Sequence, residues 1–116
     1  MKFLVACAIA SFGYDAAIAA SPVSPLGGGN SKSTIADHVA FDPAKNAWTT
    51  LASLLRAEGS PAAVVFAGKQ YVISGRSGSS DFGAVDIYDA AKNEWSSGPS
   101  IDPRGTAGAV AYCDAI

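Results

Sequence analysis

Phe41-Asp42-Pro43-Ala44-Lys45-Asn46-Ala47-Trp48 returns later in the chain as Tyr88-Asp89-Ala90-Ala91-Lys92-Asn93-Glu94-Trp95. Aromatic-Asp, Ala-Lys-Asn and Trp recur in one register, 47 residues apart. The agreement continues downstream. Two small hydroxyl residues follow each tryptophan, Thr49-Thr50 and Ser96-Ser97, and an arginine follows these, Arg56 and Arg104. Then comes a small-apolar run, Pro61–Phe66 and Ala107–Tyr112. A period of this length marks a repeat architecture, in which one supersecondary unit stacks on the next.

The content of the repeat is β. Pro61–Phe66 is predicted to be a strand, Ala67-Gly68-Lys69 a tight turn with glycine at positive φ, and Gln70–Gly75 a second, β-branched and aromatic strand. Arg76–Gly83 reads as a polar glycine-serine loop and Ala84–Tyr88 as a third strand. Asp89–Asn93 reads as a turn, and Glu94–Ser97 as a fourth strand. In the earlier copy, Asp42-Pro43 supplies proline where a turn uses its fixed φ. Four short antiparallel strands make one twisted sheet that cannot bury both faces alone and must stack on neighbours.

Composition agrees. Apolar residues make up 49% of the chain and charged residues 16%, which is globular rather than disordered. The 12 glycines sit mostly in short clusters between apolar stretches, as in an all-β chain with many turns. Net charge is −2 and no run of lysine or arginine occurs, so a nucleic-acid or anionic-lipid footprint is not expected.

Gly68-Lys-Gln-Tyr-Val-Ile-Ser-Gly75, then Val85-Asp-Ile-Tyr-Asp89, then Asn93-Glu-Trp95, resembles the kelch motif. In that family a strand ends in two glycines and is followed by Tyr-Asp, Asn-x-Trp and Arg. The Gly-His and Trp-Asp pairs of the WD40 signature do not occur. The resemblance covers residues 37 to 112 and implies an all-β fold of four-stranded antiparallel blades from a kelch-type β-propeller. About two blades are present. One position departs from the pattern: the glycine pair is Ser74-Gly75. Serine resists positive φ, so this corner is expected to be slightly rearranged. Trp48 and Trp95 are expected to pack blades rather than carry ligand. Propellers hold four to eight blades, and four at this spacing need roughly 190 residues. The expectation is therefore a piece of a larger propeller, ending within a third blade whose first strand is 107–112.

Residues 1–20 read two ways. Met1-Lys2, an apolar run over Phe3–Phe12 and the small residues Ala17-Ile18-Ala19 match a secretory signal peptide. Lys2–Cys7 can also be laid over Lys69–Gly75, with Phe3 near Tyr71, as a truncated blade strand. The first reading places the protein outside the cytoplasm or in a periplasm, the second in the cytoplasm. Residues 21–36, rich in Ser, Pro and Gly, read as a linker or long surface loop. Cys7 and Cys113 are too far apart for a metal knuckle or a Cys-x-x-Cys pair. They read either as one disulfide of an exported chain or as unpaired small core residues, the commoner case.

No catalytic constellation assembles from the sequence. His38, the single histidine, takes the slot held by Val85 in the next repeat and reads as a strand-end or partly exposed residue. One histidine supports neither a histidine-rich metal site nor, by itself, the copper site of kelch-propeller oxidases. Gly27–Ser33 lacks the glycine before lysine that a phosphate loop requires. No cofactor is expected. The candidate binding surface is the 76–83 loop, with Arg76, Ser79, Asp81 and Phe82, because the resemblance implies partner binding through such rim loops. The expected function is a non-enzymatic module that binds a protein or another ligand. The alternative is a part of a secreted, galactose-oxidase-like enzyme whose catalytic residues lie elsewhere.

Overall fold

The computed structural model describes residues 25–29 and 33–116, and both readings of residues 1–20 lie outside them. Among the described residues there are six strands and no helix. They are β1 (Val39–Asp42), β2 (Ala47–Thr50), β3 (Ala62–Phe66), β4 (Lys69–Ser77), β5 (Ser80–Asp89) and β6 (Glu94–Ser97). β3-β4-β5-β6 form one antiparallel sheet in sequence order, and β1-β2 form a second. Each pair of neighbouring strands is joined by a short reversal, so the blade expected from the repeat is present.

The turns follow from their residues. Ala67 and Gly68 both take positive φ (49° and 74°), the two-residue geometry whose twist suits a β-hairpin. Asn46 and Asn93, 47 residues apart, take φ 48° and 53° at equivalent corners. Asparagine tolerates this region because its short polar side chain bonds locally. Upstream of each corner an aspartate accepts from the turn. Asp42 Oδ1 takes the amide of Ala44 at 3.0 Å, and Asp89 Oδ1 takes that of Ala91 at 3.1 Å.

The repeat extends further upstream than the motif residues alone disclose. Leu26 bridges His38 as Ile73 pairs with Val85, and each position of the first pair lies 47 residues before its counterpart. The Gly27 amide bonds the Asp37 carbonyl and the Val39 amide bonds that of Pro25, at 2.9 and 3.2 Å. Within the stretch read as a linker, residues 25–29 therefore lie beside the segment leading into β1, as β4 lies beside β5. Gly27-Gly28 occupies the position of Ser74-Gly75, with φ 59° and 112° against 65° and 147°.

Three other expectations are corrected. The 76–83 loop is a hairpin instead: β4 runs on to Ser77, β5 begins at Ser80, and only Gly78-Ser79 turns. Its residues read as a loop because the tip projects past the sheet, leaving positions 76 to 81 exposed on both faces. Residues 107–112 form no strand, because the segment after Tyr112 turns back through a Tyr112–Ala115 bridge and offers no ladder partner. Cys113 is exposed in that turn and is not a free thiol, so the buried, unpaired reading does not hold for it. Cys7 lies outside the described residues.

The core lies between the two sheets and is as polar as it is apolar. Leu54, Ala62, Val72 and Tyr88 are buried, and so are His38, Glu58, Ser74 and Asp86. Val72 and Asp86 are register partners, as are Gln70 and Tyr88, so these four side chains share the β4–β5 face turned to the first blade. The opposite end of the stack presents an exposed ring. Trp48 is 62% exposed and touches only Phe41 among described rings, whereas its counterpart Trp95 is covered.

Candidate functional site at the rim hairpin and the blade seam

The four residues singled out from sequence divide between two places. Arg76 and Asp81 face each other across the β4–β5 ladder, the Nε donating to Oδ1 at 2.7 Å and Nη2 to Oδ2 at 3.4 Å. That hydrogen bond holds the Asp81 carboxyl below the usual carboxylate range and pushes the Arg76 guanidinium up. The pair is solvated, so its value lies in the planar geometry it presents rather than in stability. Ser79 stands at the tip, after Gly78 with its φ of 61°. Gly105 packs against the pair: a Cβ there would lie 2.5 Å from Asp81 Oδ1 and 2.7 Å from Arg76 Nη2.

Phe82 is turned away from the tip. Its ring lies under the Arg56 guanidinium, 5.7 Å from the centroid, and against Gly75, where an added Cβ would meet the ring at 3.2 Å. The structure thus brings Arg76, Ser79 and Asp81 together on the hairpin and places Phe82 in the seam between blades. Thr34 of the first blade reaches the same rim, its Oγ1 lying 3.4 Å from Ser77 Oγ.

The seam is built by the segment between β2 and β3. The Leu51 amide bonds the His38 carbonyl and the Leu54 amide that of Ala36, both at 2.9 Å, which lays the segment along the residues leading into β1. Its later part crosses to the second blade, where Gly59 and Arg76 exchange backbone bonds of 2.8 and 3.0 Å. Ala52 ties the two blades, its amide donating to Asn93 Oδ1 and its carbonyl accepting from Trp95 Nε1, both at 2.8 Å. The Tyr88 hydroxyl donates to the same Asn93 oxygen at 2.7 Å. The motif's Tyr, Asn and Trp are therefore one network that grips the preceding blade.

His38 completes that grip, and its expected partial exposure is corrected. The ring is buried edge-on to Tyr88 and near Trp95, with centroids 4.6 and 5.3 Å away. The Ala52 carbonyl lies 3.2 Å from Nδ1 and can only accept, so Nδ1 carries the proton. Burial pulls the imidazole below its ordinary value against hydrogen bonds to Ala52 and Gln70. The slot of Val85 misled the reading because the two blades differ in what covers them.

Sequence reasoning missed Glu58. It is 1% exposed, as is Asp86, and Arg56 Nη1 bonds Asp86 Oδ2. Burial, then the charge of Asp86, pushes the Glu58 carboxyl up to about 7, with Arg56 opposing. No signal in its surroundings, Arg56-Ala57-Glu58-Gly59, marks it, because its partner is contributed by a strand 28 residues on.

Residues 59–102, the second blade, match the family model described as Kelch motif. The chain carries a kelch repeat. Over 79 residues it is 38% identical to Kelch-like protein 36 of Mus musculus and of Rattus norvegicus, and 34% identical to that of Bos taurus. Each alignment covers 66% of this chain and 13% of the relative. The kelch match coincides with the strands that carry the Tyr88–Asn93–Trp95 network, so geometry and family likeness identify the same unit. Among the described residues no cluster of three metal-ligating side chains occurs, and no helix is long and apolar enough to cross a membrane.

Proposed function

We propose that the chain is a non-enzymatic protein-interaction module, part of a larger kelch propeller, that engages a protein partner at the β4–β5 hairpin tip through Arg76, Ser79 and Asp81. The observation that carries this reading is the exposed Arg76–Asp81 pair, which projects in register beyond the sheet on a two-residue turn. An exposed guanidinium–carboxylate pair offers a partner both donors and acceptors in fixed geometry. The likeness to kelch-like proteins supports a protein as the ligand, and Trp48, 62% exposed on a blade face, supports a place in a longer stack.

Photocrosslinking tests the reading. A crosslinking residue replacing Ser79 is expected to capture a discrete protein partner, whereas one replacing Lys92, at the opposite ends of the strands, captures none. Exchanging the charges, Arg76→Asp with Asp81→Arg, is expected to reduce capture at least tenfold while leaving the fold intact. Equal capture from both rims, or capture indifferent to the exchange, would refute the assignment.

A further inference from the structure

Glu58 sits where the two blades meet. Its amide bonds the Ile35 carbonyl at 3.1 Å and its carbonyl accepts the Gly28 amide at 2.8 Å, both on the first blade. Its side chain reaches the second blade. A Cβ on Gly75 would lie 3.1 Å from Glu58 Oε2, and one on Gly27 would lie 2.9 Å from the Glu58 carbonyl oxygen. Both glycine pairs therefore close around this residue. Asp86 on β5 shares the space, and Arg56 supplies the cation that acts on both carboxyls. Ser74 and Gly75 of β4 and Gly27 and Gly28 of the first blade bring no charge.

Around Glu58 itself, the charged groups among the described residues are two carboxyls and one guanidinium, all but Arg56 fully buried. Arg56 bonds Asp86. Glu58 Oε1 and Asp86 Oδ1 have no hydrogen-bond partner among the described residues. With both carboxyls ionised, the seam holds one uncompensated negative charge in a low-dielectric space, which is costly. A proton on Glu58 removes that charge without disturbing the Arg56–Asp86 bond.

We propose that the seam is a proton-dependent joint: Glu58 holds a proton while the blades are docked and yields it when they part. The folded carboxyl titrates at about 7, against an ordinary 4.5 when the seam opens. The docked state thus binds a proton more tightly, and its advantage is complete below 4.5 and lost as pH rises through 7. The Glu58 contribution to the joint is therefore greatest in acid and fades towards neutral and alkaline pH, and the buried His38 ring elsewhere in the seam titrates in the opposite sense.

The test uses the full chain, with Glu58→Gln as a permanently protonated mimic. Urea unfolding is followed by Trp95 fluorescence in a Trp48→Phe background, because the Trp95 indole reports the bond to Ala52 across the seam. Relative to the mimic, the Glu58 protein is expected to lose roughly ten- to a hundredfold in its folding equilibrium between pH 5 and pH 8. Carbon NMR of the Glu58 carboxyl in the unsubstituted chain gives a second reading that needs no folded variant. It should titrate near neutrality, and lower in Asp86→Asn. Parallel stability curves for the two proteins, or a Glu58 carboxyl titrating in the ordinary range, would overturn the proposal.

Discussion

Trp95 donates its indole N–H to the carbonyl of Ala52 across the blade seam at 2.8 Å, while its repeat counterpart Trp48 stands open to solvent. The aromatic pairs themselves are alike: Phe41–Trp48 centroids lie 4.9 Å apart at 43°, Tyr88–Trp95 centroids 5.0 Å apart at 41°. What separates the two tryptophans is the neighbour, not the blade. Replacing Trp95 by phenylalanine removes a bond across the seam and buried ring area, and should cost about 1–3 kcal/mol in urea unfolding. Trp48→Phe should change stability by less than about 0.5 kcal/mol. Iodide should quench Trp48 alone in the first variant far more readily than Trp95 alone in the second.

Ser74 supplies a second contrast, because the first blade carries glycine at its equivalent. Serine in the left-handed region costs about 1–2 kcal/mol. Here the buried hydroxyl shares its one hydrogen between the carbonyls of Phe82, at 3.0 Å, and Arg104. The strain and the bond nearly offset, and the ladder slips by a bulge between Ile73 and Gly75. Ser74→Ala keeps the strain and loses the bond, so it should destabilise by about 1–2 kcal/mol. Ser74→Gly loses both and should stay within about 1 kcal/mol of the parent. Thermal melts of the two variants check the order.

Much of this was legible in the sequence because it is local. The Asp42 and Asp89 turns, the Ala67-Gly68 reversal and the strand order all follow from residues within a few positions of one another. The kelch likeness needed only the 47-residue register. What escaped notice is contributed from a distance. Gly27-Gly28 lie in register with Ser74-Gly75, yet the surrounding Ser and Pro read as a linker because isolated bridges at Leu26 and Gly29, rather than an apolar ladder, hold the described part of this segment. Glu58 meets Asp86 through the segment after β2 that crosses between sheets, and His38, just before β1, meets Tyr88 where the blades stack. The hairpin tip misled for another reason: a ladder beyond the sheet's packed area has the composition of a loop. Arg76, Ser79 and Asp81 share that tip, whereas Phe82, adjacent to them in sequence, lies in the seam.

Gly83 tests how tightly the segment after β6 is held. Its carbonyl accepts the Ile101 amide at 2.8 Å, and a Cβ at Gly83 would lie 1.8 Å from the Ile101 carbonyl oxygen. That atom is backbone and cannot swing aside, so the whole segment would have to move. Gly83→Ala should therefore cost more than about 3 kcal/mol and lower the melting temperature sharply. At Gly108 a Cβ meets nothing within 4 Å, so Gly108→Ala should be neutral within about 0.5 kcal/mol. Equal losses at the two positions would refute the packing assigned to Gly83.

His38 and Glu58 load the same seam in opposite directions. Burial holds the His38 imidazole below its ordinary 6.5, so the folded state binds this proton less tightly than the unfolded chain. Its contribution is intact above 6.5 and is lost as pH falls towards the folded value. Glu58 gains over much of that range, so the parent protein should show a shallow dependence in which the two partly cancel. The Glu58→Gln background exposes the histidine: that variant should lose stability on going from pH 7 to pH 5. Adding His38→Val, the residue found at the equivalent position 85, removes the titrating ring and should flatten the curve. Urea midpoints measured across this range, with the Trp95 signal, decide the matter. An unchanged slope after His38→Val would mean that the acid sensitivity arises elsewhere than at the ring packed on Tyr88.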